Sequence, residues 1–140
     1  VTTLTAYDAI RDWLEASWSF TPRRYENEDP LPPSGEPATF LYFECEGGMF
    51  AQMSIGAGSP AANLWRENGT AIFTICTPSG TGAETGRGLR QTLAGMLKGL
   101  ALSPGLQCLA MRGLAGEPFR RDGNYYALPL LTEWRRDEPG

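Results

Sequence analysis

Near the start of the chain, apolar side chains recur at three- and four-residue spacing. They are Leu4, Tyr7, Ile10, Leu14 and Trp18, with Trp13 beside them and Asp8, Asp12 and Glu15 between. That period belongs to an amphipathic helix. Thr3 or Thr5 stands where an N-cap is needed, and Pro22 bars helix beyond Phe20. Residues 23–27 then read as a short extended lead. Residues 28–37, with Pro30, Pro32, Pro33 and Pro37, read as a polyproline-like loop. From residue 38 onward the spacing is that of strands. Phe40, Leu41, Tyr42 and Phe43 mark one over residues 38–46, Gly47-Gly48 predicts a two-residue turn, and residues 49–55 return. Residues 56–60 form a small-residue loop. Asn68-Gly69 predicts a second hairpin turn between residues 64–67 and 70–77. In the latter stretch Ala71, Phe73 and Ile75 alternate with Ile72, Thr74 and Cys76. Both faces are apolar, which predicts a central strand covered on both sides.

Pro78-Ser79-Gly80 stops that strand. Thr81 followed by Glu84 has the spacing of a capping box, and Leu89, Leu93, Met96, Leu97 and Leu100 form the stripe of a second helix. Glycines at 86, 88, 95 and 99 cost that helix about 1 kcal/mol each relative to alanine, so it depends on packing. Ser103-Pro104-Gly105 ends it. Residues 106–112 read as a strand, residues 113–122 as a loop with a short strand at 119–121, and residues 124–135 as the last strand after an Asp122-Gly123 turn. The expectation is an α+β fold: a mainly antiparallel or mixed sheet of about five to seven strands flanked by two helices.

A length of 140 residues fits one domain. No apolar run approaches the ~18 residues that a membrane span needs, and no secretory leader is read at the start. There are no histidines, which removes Ser-His-Asp triads, Cys-His dyads and histidine metal sites. Cys45, Cys76 and Cys108 stand about 31 residues apart, with neither zinc spacing nor a disulfide framework, and read as small buried apolar residues. No catalytic residue, metal or cofactor is assigned. The formal net charge of −4 argues against sequence-independent DNA binding, which requires a basic surface.

The glycine-rich stretch at residues 78–88 lies between a strand and a helix, where phosphate can bind. It lacks the lysine of a P-loop, Gly80, Gly82 and Gly86 miss the dinucleotide spacing, and Glu84 would repel phosphate. It reads as a structural turn. Glu26 with Glu28, and Glu44 with Glu46, are same-face carboxylate pairs that read as solvated. The arginine pairs 23–24, 120–121 and 135–136 read as solvated strand ends or as ion pairs between subunits. The aromatic residues Phe40, Tyr42, Phe43, Phe50, Trp65, Tyr125, Tyr126 and Trp134 fit either a core or a protein-binding surface.

Four stretches in order carry a family resemblance. The N-terminal helix leads to Tyr25-Glu26-Asn27 and the proline-rich loop. Next, Phe73 to Gly82 is a strand ending in the turn Pro78-Ser79-Gly80-Thr81-Gly82 before a helix. A short strand and a loop follow. Then Tyr126, Pro129 and Trp134 punctuate a closing strand. In this order and at this size the chain resembles the tail terminator (tail-completion) proteins of long-tailed lambda-like phages and gene transfer agents. It departs from their pattern at Cys45, Cys76 and residues 56–62. The resemblance implies a non-enzymatic virion protein at the head-proximal end of the tail, assembled in the host cytoplasm. It would form a homohexameric ring on the tail tube protein, stop tube growth and meet the head-completion or neck proteins, while DNA passes through the lumen without specific binding. In such a ring the aromatic hairpin over residues 40–53, with more apolar side chains than a small domain readily covers, is expected to supply one side of the subunit contact, through Phe40, Tyr42, Phe50 and Met53. The alternatives are a head-closure or neck adaptor of the same particle, or an enzyme or small-molecule binder. The missing histidines and phosphate loop weigh against the last of these.

Overall fold

The computed structural model describes residues 2–26, 38–53, 63–102, 105–118 and 125–139. Asn27, Glu28, the proline-rich loop, the loop at 56–62, residues 119–121 with Arg120 and Arg121, and the Asp122-Gly123 turn lie outside them.

Helix α1 covers Leu4–Ser17, and Thr3 is its N-cap, accepting from the Ala6 N–H at 3.3 Å. Its buried stripe is Ala6, Ile10, Leu14 and the following Trp18, a strict four-residue repeat. Leu4, expected in the stripe, is 72% exposed, because the buried four-residue repeat runs through Ala6 and leaves Leu4 off it.

The strands are β1 (Arg23–Tyr25), β2 (Phe40–Glu46), β3 (Phe50–Gln52), β4 (Leu64–Pro78), β5 (Ala101–Leu102), β6 (Leu106–Gly113), β7 (Glu117–Pro118) and β8 (Tyr125–Pro139). They form one open, curled sheet in the order β1-β2-β4-β8-β6-β5, with β3 added to β4 and β7 to β8. Only β1 and β2 pair in parallel; the other described pairs are antiparallel. This is the expected α+β class with a mixed sheet. Its spine is β4 against β8, in unbroken register from Leu64 opposite Pro139 to Pro78 opposite Tyr125. At about 3.4 Å per residue the spine is roughly 50 Å long.

Both expected hairpins are corrected. Asn68-Gly69 is not a turn: the chain runs straight through it in the middle of β4. Glycine is there because the Trp134 ring lies over it. A Cβ on Gly69 would stand 2.7 Å from Trp134 Cζ2 and 3.0 Å from the Glu46 carbonyl. Gly47-Gly48 does not fold β3 back on β2 either. Both strands pair with β4, one after the other along the same side, and residues 47–49 are a kink between them. There Asn68 exchanges hydrogen bonds with Met49, giving its N–H to the Met49 carbonyl and accepting the Met49 N–H on Oδ1, both at 3.0 Å. A Cβ on Gly48 would collide with the Asn68 carbonyl at 2.0 Å.

Helix α2 covers Glu84–Leu97. It packs with α1 on one face of the sheet, over Leu41, Phe43, Phe73, Ile75, Leu130 and Trp134. Leu93 and Leu97 are buried, with Leu89, Met96 and Leu100 half-buried beside them, as the stripe predicted. The helix stops at Lys98 and Gly99, whose φ of +70° favours glycine. It ends before Ser103-Pro104-Gly105, and that leaves residues 101–102 to form β5. The opposite sheet face carries a second cluster of Phe40, Tyr42, Cys76, Tyr125 and Ala127. The central strand is thus buried on both faces near its C-terminal end.

Candidate functional site

The turn from β4 into α2 and the adjoining start of β8 form one unit. Gly80 and Gly82 have φ of +86° and +85°. A Cβ at either would meet nothing within 4 Å, so their requirement is conformational and not steric. Thr81 does not cap α2. Its hydroxyl donates to the Pro78 carbonyl at 2.7 Å, and its N–H reaches the same oxygen at 3.4 Å. Left-handed Gly82 delays the helix to Glu84, with Ala83 at the N-cap position and no side-chain cap. The expected capping box is therefore corrected to a closed turn. One helical turn later, α2 approaches the sheet closely: a Cβ on Gly86 would lie 2.8 Å from Leu128 Cδ1.

A cleft of about 450 Å³ opens at this turn, between Ser79, Gly80, Gly82 and Ala83 on one side and Glu117, Pro118 and Tyr126 on the other. The Tyr126 ring lies over Gly116. The walls are mostly apolar, and the titratable groups are Glu117 and the phenols of Tyr125 and Tyr126. Among the described residues no cation lines it to offset a phosphate, and no nucleophile stands beside a base. Among the described residues no three His, Cys, Asp or Glu side chains gather as a metal site. The described surface offers shape and apolar area.

The structure brings Pro78, Gly80, Thr81, Gly82 and Tyr126 together and leaves Glu26, Pro129 and Trp134 apart from them, while Asn27 lies outside the described residues. Glu26 sits at the end of β1, where its carboxylate accepts the Cys45 N–H. Burial, and then the Glu26, Glu44 and Glu67 carboxylates, push the Cys45 thiol up to about 12. Burial pushes Cys108 up to about 11. Pro129 lies mid-strand, where its carbonyl faces the gap between β6 and β7. There it accepts the Leu114 N–H at 3.2 Å and Arg90 Nη1 at 3.1 Å. The missing proline N–H falls on that same open side, so no ladder bond to β4 is lost. Trp134 is buried over Gly69.

The expected subunit surface is also redistributed. Phe40 and Tyr42 are 2% and 7% exposed and belong to the second cluster, with Phe40 edge-to-face on Tyr125 at 5.1 Å. They are corrected from surface anchors to core residues, because β2 is paired on both sides and its even-numbered face is covered there. Phe50 is half-buried against Trp65 at 5.5 Å, and Met53 is exposed.

Sequence reasoning missed a buried ionic network. Glu67 and Arg136 are opposite one another on β4 and β8, 0% and 2% exposed, joined at 3.3 Å. Glu67 also accepts the Thr3 N–H at 2.8 Å at the start of α1, and Arg136 donates to Glu138 at 2.9 Å. Burial pulls the guanidinium pKa down, but the bonds to Glu138 and Glu67 outweigh it and the net shift is upward. Arg136 is thus neither a solvated strand end nor a free interface charge. Arg23 is likewise engaged within the chain, with Glu15 at 3.0 Å. The alternation that puts Glu67 in line with Gly69, Ala71 and Phe73 was visible in the sequence, but the supposed turn at residue 68 hid it.

No known family and no curated protein matches this chain. A solved structure whose designation carries no functional word superposes with a TM-score of 0.56, over 92% of this chain and 88% of its own, at 14% identity. At that identity the likeness shows a shared fold: an α+β domain with an open, curled, mixed sheet.

Proposed function

We propose that this chain is a structural ring protein that caps the end of a tail tube, stops its growth and joins the tail to the head–neck proteins. The observation that carries the reading is the order of four matched stretches along nearly the whole sequence, from Glu26 through Pro78–Gly82 to Tyr126, Pro129 and Trp134. It is supported by the packing of two of them, the turn and Tyr126, into one unit around a mostly apolar cleft. The net charge of −4 suits a lumen that DNA traverses without being gripped. A cap of this kind needs two unlike faces. One copies the end of the tube, and the other refuses a further tube ring and receives the neck.

The test is to mix the purified chain with tube subunits of the same particle and image the tube ends. Ring density at one end only, with elongation blocked there, is the expected result. Continued elongation with bare ends rejects the proposal.

A further inference from the structure

The outer side of β6 loses its partner half-way along. β5 pairs with Leu106 and Gln107, and the Leu100 carbonyl takes the Cys108 N–H at 3.0 Å. Leu109 and Ala110 then bulge where β8 offers Glu133 alone. Pairing with β8 resumes at Met111 opposite Thr132, Arg112 opposite Leu131 and Gly113 opposite Leu130. Next in that register, the Leu114 N–H goes to the Pro129 carbonyl at 3.2 Å, so Leu114 and Pro129 are a hydrogen-bonded pair. Such pairs alternate along an antiparallel ladder. Arg112 therefore turns its N–H and C=O toward β8, while Met111 and Gly113 turn theirs outward. Among the described residues nothing pairs with those four outward groups. The row of donors ends at Pro118 in β7, which has no N–H.

The side chains around this edge are arginines and leucines. Arg112 is exposed on one face of β6. On the other face Arg90 of α2 crosses over Gly113, where a Cβ would lie 3.1 Å from Arg90 Cζ. Its Nη1 donates to the Leu114 and Pro129 carbonyls at 2.7 and 3.1 Å, in place of the N–H that Pro129 lacks, so the guanidinium sits over the inner gap between β6 and β8. Arg87 is exposed about one turn earlier on α2. Among the described residues these three arginines have no carboxylate partner, whereas Arg23, Arg66 and Arg136 each have one. Glu133 and Glu117 are the acidic groups on the adjoining strands, and neither is ion-paired with them. Leu109 and Leu114, 53% and 41% exposed, flank the stretch.

We infer that this edge binds an extended polypeptide segment with acidic side chains, which adds to β6 as a further strand. The main-chain groups of Met111 and Gly113 supply the hydrogen bonds. Side chains of an added strand alternate between faces. Carboxylates at two successive positions therefore meet Arg112 on one face and Arg90 with Arg87 on the other, and apolar residues beside them cover Leu109 and Leu114. A second copy of this chain fits worse. The two-fold pairing that satisfies all four outward groups is centred on Arg112 and sets it directly opposite itself, where like charges destabilise. The site needs no ring, and holds for a chain that acts alone.

The test is amide hydrogen exchange of the full chain, read by NMR with and without the capped peptide Thr-Val-Glu-Asp-Val-Thr. In the free chain the Arg112 amide should exchange slowly and the Met111 and Gly113 amides fast. Saturating peptide should slow Met111 and Gly113 by on the order of tenfold or more and leave Arg112 unchanged. The neutral analogue Thr-Val-Gln-Asn-Val-Thr should bind on the order of tenfold more weakly. The acidic peptide should lose as much against Arg112→Glu, an exposed change whose melting temperature is checked against the parent. Slow Met111 and Gly113 exchange in the dilute free chain would mean that the chain covers this edge itself, and overturns the inference. Protection that rises with protein concentration alone assigns the edge to a second copy and also overturns it. Equal binding of the two peptides rejects the acidic partner. Failure of millimolar peptide to protect either amide rejects strand addition.

Discussion

Replacing Glu67 by alanine strands Arg136 as a buried charge. The carboxylate is fully buried and the guanidinium is 2% exposed, so water cannot replace the lost partner. Breaking a buried pair from one side costs about 3–5 kcal/mol. Glu138 at 2.9 Å still offers Arg136 a partly exposed carboxylate, which places the cost at the lower end of that range. Glu67 also takes the Thr3 N–H, and losing that bond at the head of α1 adds about 1 kcal/mol. The sum is about 4 kcal/mol. For a domain of this size that is roughly 10–15 °C in melting temperature, at about 3 °C per kcal/mol. The double variant Glu67→Leu with Arg136→Met removes both charges and keeps most of the volume. It should recover most of the loss, because replacing a buried pair by apolar groups is often near neutral. Urea midpoints of the parent, both singles and the double close the cycle. A Glu67→Ala loss below about 1 kcal/mol, or a double variant as poor as the summed singles, would refute the reasoning.

Leu93→Ala should cost about 2–5 kcal/mol in the same urea assay, because Leu93 is fully buried between α2 and the sheet; a loss under about half a kcal/mol would place that face outside the core. Gly69→Ala should destabilise by about 1–3 kcal/mol, since its Cβ meets Trp134 and a carbonyl. Gly88→Ala, with open space around it in α2, should stabilise by about 0.5–1 kcal/mol, and thermal melts separate the two signs. Native thiols should react with an aromatic disulfide reagent at pH 7 far more slowly than the same chain in denaturant, since Cys76 is buried and the Cys45 and Cys108 thiols are pushed up to about 12 and about 11. Acid should weaken the fold through Glu15, held down by the Tyr25 hydroxyl and then Arg23, and through Asp137, held down by Arg66. Both folded values lie below the ordinary 4.5 and 3.8, so the unfolded chain binds more protons. The stabilisation is present above those values and lost as pH falls through the lower folded ones. Glu15→Gln and Asp137→Asn should each flatten the melting-temperature profile below about pH 4.5; an unchanged slope would discount the pairs.

The periodic elements were legible in the sequence. Ile10, Leu14 and Trp18 repeat every four residues, Leu93 and Leu97 do the same, and Ala71, Phe73 and Ile75 alternate. These local periods are set by burial of one face, and each survives in the structure. What tertiary structure decided was where the chain turns. Asn-Gly favours a hairpin only when no other segment competes for its backbone. Here β8 pairs with β4 on both sides of Gly69, and Trp134 needs the space a side chain would fill. The same long pairing sets Glu67 opposite Arg136, a contact across 69 residues that no local pattern announces. Gly47-Gly48 likewise marks a close crossing over Asn68 and not a reversal. The turn at Pro78 to Gly82 was legible as a turn because positive φ at Gly80 and Gly82 is a local demand. That Tyr126 closes the cleft beside it was not, because the partner arrives from a strand 15 residues long whose register is fixed only along its whole length.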